Sequence, residues 1–207
     1  MKPILLLMLS CISVSSFSQR LSGYAAFGLG SSIEDNVAGL STQNRTRAIG
    51  GMSFYYRLNG RYSPGLEATA SSPLNVFGKS SKVVDATPST VTLSPSNLKA
   101  SSVMFRNKVM LFTYKEWEPY IDVGVGINTY YYTDPVKDAG TIKKTSFVFS
   151  PEFGVNIQKF QFAIKVVTAG KTPQYNGTEP EGGKAVILQS IKAQQVYLTI
   201  GYQMFRL

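Results

Sequence analysis

Along most of the chain, apolar and polar side chains take turns instead of recurring every three or four residues. In the stretch 117–132, Ile121, Val123, Val125 and Ile127 fall on one face and Asp122, Gly124, Gly126 and Asn128 on the other. A period of two belongs to a β-strand, whose successive side chains point to opposite sides. The stretch 147–158 repeats it, setting Phe147, Phe149, Phe153, Val155 and Ile157 against Ser150, Glu152, Gly154, Asn156 and Gln158. In 160–166, Phe160, Phe162, Ile164 and Val166 oppose Gln161, Ala163 and Lys165. Only Gln158 and Lys159 separate these last two runs. A two-residue hairpin pairing Ile157 with Phe160 keeps both apolar sets on one side of a sheet.

The same test predicts further strands over 21–31, 48–58, 62–71, 102–114 and 194–205, eight in all. Asn59-Gly60-Arg61 suits a three-residue loop that leaves Leu58 and Tyr62 on one face. Short turns fall at 59–61, 115–118 and 158–159, whereas long connections cover 32–47, 72–100, 134–145 and 171–187. All the long ones lie at one end. Outer-membrane barrels have this asymmetry, with short periplasmic turns and longer external loops. The fold class predicted is therefore all-β, an eight-stranded antiparallel transmembrane up-and-down barrel.

Period two does not say which face points inward, because a soluble barrel hides its apolar side chains and a membrane barrel displays them. Charge decides between them. Arg57, Glu67, Arg106, Lys108, Asp122, Glu152 and Lys165 share the polar face with Gly28, Gly30, Gly51, Gly124, Gly126, Gly154 and Gly201. Eight strands leave an interior just wide enough for side chains to fill. Small and mutually compensating charged residues fit there; five phenylalanines from 147–162 do not. The seven charged residues are expected to form a polar network filling the lumen. Asn107 is the main polar residue left on the apolar face.

Aromatic girdles are expected where such a barrel crosses the two membrane interfaces. Tyr56, Tyr62, Trp117, Tyr120 and Tyr202 fall near the short-turn end, and Tyr130, Tyr131, Tyr132, Phe147 and Phe149 near the long-loop end. Met1-Lys2, the apolar run 4–9 and the small residues up to Ser18 read as a secretory signal peptide. This divides the chain into a signal peptide, 1–18, and a barrel domain, 19–207. Cys11 is the only cysteine; it is read as part of the signal peptide, with a lipidated N-terminus as the alternative. Without it the mature chain has no thiol for a disulfide or a metal.

The formal net charge of +9 is spread along the chain without a basic run or helical stripe, so nucleic acid is not the expected partner. A positive surface can instead meet anionic lipid head groups or lipopolysaccharide. There is no histidine, which removes the usual general base for a serine or cysteine nucleophile. No catalytic residue, metal site or cofactor is predicted.

The signal peptide, eight alternating strands, one-sided long loops and amphipathic terminal strand resemble the small outer-membrane barrels of the OmpA/OmpX-like type. Thr199-Ile200-Gly201-Tyr202-Gln203-Met204-Phe205 looks like that group's C-terminal signal for the barrel-assembly machinery, although Arg206-Leu207 follow it. The resemblance implies a bacterial outer-membrane location, with outer-membrane lipid around the barrel. The role expected is non-enzymatic: structural, adhesive or an interaction with another envelope component through the long loops. A small pore is the alternative, and a secreted lipocalin-like binding barrel a further one.

Overall fold

A computed structural model of the chain describes residues 20–34, 45–74, 83–87, 90–93, 98–132, 142–178, 185–188 and 193–207. The signal peptide expected over 1–18, with Cys11, lies outside the described residues. Among those described there are twelve strands and no helix.

Eight strands close on themselves: β1 (Leu21–Glu34), β2 (Arg45–Tyr56), β3 (Tyr62–Pro73), β6 (Lys99–Met110), β7 (Trp117–Tyr132), β8 (Ile142–Ile157), β9 (Phe160–Ala169) and β12 (Ala193–Arg206). Each pairs antiparallel with its neighbours along the chain, and β1 with β12 completes the ring. Closure leaves no sheet edge, the condition for strands in a medium without water. The eight predicted strands and the short turns between them are found. Ile157 pairs with Phe160 across the two-residue turn, where Gln158 takes a φ of 55°. In the 59–61 turn, Asn59 Oδ1 accepts hydrogen bonds from the Arg61 and Tyr62 amides at 2.9 and 2.7 Å.

The alternation becomes an inside and an outside. Phe27, Met52, Leu66, Phe105, Ile127, Phe147, Phe162 and Leu198 are exposed on the outer wall, one on each of the eight strands. Monomeric soluble proteins rarely show a continuous apolar belt of this extent. Asn107, the polar exception on that wall, is half-buried and accepts a 2.6 Å hydrogen bond from Tyr62 Oη on the neighbouring strand.

Four further strands, not predicted, lie in two of the long connections. β4 (Val83–Thr87) and β5 (Thr90–Leu93) form a hairpin between β3 and β6; β10 (Tyr175–Thr178) and β11 (Ala185–Leu188) form another between β9 and β12. The hairpins join through a parallel β5–β11 pairing into one four-stranded sheet. Their roots lie on opposite sides of the eight-membered ring, so this pairing links loops from across the long-loop end.

Candidate functional site

The lumen concentrates the chain's buried polar chemistry, and its filling has two parts. Toward the long-loop end Ile49, Leu98, Ala100, Met104, Tyr130, Val148, Val167, Ala169 and Tyr197 pack into one buried apolar cluster. Arg47 is buried beside it and donates to the Leu98 carbonyl at 2.6 Å. Alongside this plug, Thr69 Oγ1 donates to Ser102 Oγ at 3.3 Å, and Ser102 Oγ donates to Asn128 Oδ1 at 3.1 Å.

Beneath that polar step lies a layer of ions. Arg106, with no exposed surface, reaches Glu152 at 2.9 Å, Asp122 at 3.2 Å and Glu67 at 3.3 Å. Lys165 Nζ lies 2.5 Å from Glu67 and 3.8 Å from Glu152. Tyr55 Oη donates to Asp122 at 2.5 Å and Tyr120 Oη to Glu152 at 2.7 Å, while Gln161 donates to Tyr120. Lys108 Nζ sits 4.1, 4.5 and 4.7 Å from the ring centres of Tyr120, Tyr55 and Tyr24. Such faces attract a cation through the ring quadrupole. Three basic residues, Arg106, Lys108 and Lys165, thus meet three acidic ones, Glu67, Asp122 and Glu152. Isolated charges so deeply buried would be costly, and the balance of three basic against three acidic groups offsets that cost.

Glycine makes the room. A Cβ on Gly124 would come within 2.8 Å of Arg106 Nη1, and one on Gly154 within 2.5 Å of Tyr120 Oη. Both distances are far inside van der Waals contact, so the inward glycines of β7 and β8 set where guanidinium and phenol lie.

Six of the seven residues predicted for the lumen network therefore come together. Arg57 does not join them: just past β2, it lies at the short-turn mouth, 4.0 Å from Glu118 and about a third exposed. Its parity is inward, but its height on the barrel removes it from the ionic layer. Among the predicted interface aromatics, Trp117, Phe147, Phe149 and Tyr202 are exposed on the outer wall, and Tyr56, Tyr62 and Tyr131 are half-buried. Tyr120 is a correction: it is fully buried in the lumen, bonded to Glu152 and stacked over by Lys108. It shares the parity of Asp122 and Gly124, which already placed it inside. Tyr130 is likewise buried in the plug. Tyr24 and Tyr55, the other two walls of the Lys108 cage, were missed; their parity with Gly28 and Ser53 was the available signal.

No protein-family model matches the sequence, and no curated protein does. Solved structures do. Neisserial surface protein A is similar over 88% of this chain and 97% of its own, at 10% identity and a TM-score of 0.54. Ail of Yersinia pestis, solved with the heparin analogue sucrose octasulfate, matches over 89% and 99% at 10% identity and a TM-score of 0.47. The N-terminal β-barrel domain of Pseudomonas aeruginosa OprF matches over 90% and 98% at 12% identity and a TM-score of 0.46. The chain has the eight-stranded fold of the small outer-membrane barrels.

Proposed function

We propose that the protein is a non-enzymatic barrel of a bacterial outer membrane whose role lies at its surface, through the long external loops. Residues 1–18 are its cleaved signal peptide in this reading, and 19–207 the barrel. The observation that carries it is the pairing of an apolar outer wall on all eight strands with a lumen closed by a plug and a neutral ionic layer. The wall suits hydrocarbon. Among the described residues the lumen is filled by this plug and layer, which moves function to the loops, where binding residues are most often carried. Exposed Lys99, Lys143, Lys144 and Lys171 near the long-loop end support contact with anionic head groups or lipopolysaccharide. The terminal strand, with Thr199 to Phe205, supports handling by the barrel-assembly machinery.

Membrane fractionation followed by planar-bilayer recording tests both halves of the reading. The protein is expected in the outer-membrane fraction, with no reproducible high-conductance channel. Recovery as a detergent-free soluble protein would overturn the location, and steady large conductance would establish the pore alternative.

A further inference from the structure

Below the ionic layer the lumen ends in a cavity of about 40 Å³ at the short-turn mouth. Its lining is unbalanced. Arg20, Arg57, Lys108 and Arg206 contribute four positive groups and Glu118 one negative. Lys108 already belongs to the neutral layer above, and without it Arg20, Arg57 and Arg206 still outnumber Glu118 by two. Lys108 is only 1% exposed and its Nζ has no hydrogen-bond acceptor. The three tyrosine faces answer its charge but accept few of its three N–H donors. Arg20 and Arg206 stand exposed at the rim, so the cavity opens to solvent.

We infer that the short-turn mouth is a binding site for one small oxyanion of phosphate or sulfate size, held by Lys108 from above and by Arg57 and the rim arginines from the sides. Its oxygens supply the acceptors that Lys108 lacks, and charge-assisted bonds of this kind are the strong ones. A space this size takes a few waters or a single such ion. Tyr24, Tyr55, Ser63 and Lys108 line it from the inner face of the barrel, behind the exposed rim, so a free anion reaches them through the mouth, whereas a lipid phosphate would have to leave the outer wall and turn around the rim. The site depends only on the barrel and not on the role proposed for the loops.

Isothermal titration of inorganic phosphate into the full mature chain, folded in a non-ionic detergent, tests it. Saturable one-site binding with competition by sulfate is expected. Arg57→Gln and Lys108→Met are expected to weaken it at least tenfold, and Arg61→Gln, on the adjacent exposed turn, less than twofold. Heat-modifiable migration on gels checks that each variant is folded; where Lys108→Met is not, Arg57→Gln alone decides. Absence of saturable heat means that water fills the cavity and the inference is wrong. Equal weakening by Arg61→Gln reduces it to diffuse attraction and overturns it too. Tighter binding of a short-chain phosphatidic acid than of phosphate overturns the free-anion assignment.

Discussion

The two halves of the lumen close the same tube by different physics. In the plug, Met104, Val148 and Tyr197 fill space, and each contact is worth roughly its own area and volume. In the ionic layer no residue stands alone: Arg106 serves three carboxylates, and two of those also serve Lys165. Truncating the first removes one residue's packing. Truncating the second strands groups that remain behind, still buried and still charged. The plug thus supplies graded stability, and the ionic layer a condition met as a whole or not at all.

The largest test of that contrast is Arg106→Gln. Three carboxylates then face Lys165 and Lys108 alone, and a loss of about 3–5 kcal/mol or more is expected from breaking a buried ion cluster. Urea unfolding in lipid vesicles measures it; a loss below about 1 kcal/mol would show the layer to be wet and screened. Met104→Ala comes next, removing a plug side chain that is 1% exposed. About 2–4 kcal/mol is expected, the usual cost of a large-to-small change in a packed interior, without the aggregation or misfolding that an unpaired charge brings. The smallest effect belongs to Arg57→Gln. Its contact with Glu118 is long and partly solvated, so less than about 1 kcal/mol should be lost. A loss comparable to that of Arg106→Gln would place Arg57 back in the network from which its position separates it.

The barrel was legible because period two is imposed by the pleat and because lipid and lumen ask for opposite chemistry on the two faces. Parity alone put Glu67, Arg106, Lys108, Asp122, Glu152 and Lys165 inside. Tyr120 went astray when its residue type, an aromatic near a strand end, was weighed above its parity. Height along the barrel was less legible than facing: Arg57 points inward, but pairing register decides whether it meets the ions or the solvent. The split into plug and ionic layer was hidden for the same reason, since Ile49, Met104 and Val148 cluster only once eight registers are combined. The β-branched run Val83, Val84, Thr87, Thr90, Val91 and Thr92 carried a local hairpin signal. The partnership of β5 with β11 left no trace in either segment, because a parallel pairing between distant loops has no local pattern.

That pairing gives the molecule a kind of memory of its own assembly. Thr90 and Ala185 are partners 95 residues apart, and the strands that root them stand across the ring from each other. Loop-closure entropy opposes such a contact until the wall has brought the roots within reach. The small sheet is therefore expected to form last and to open first. A protease cutting near residues 90 and 185 would distinguish a sealed ring from one still missing the β1–β12 seam.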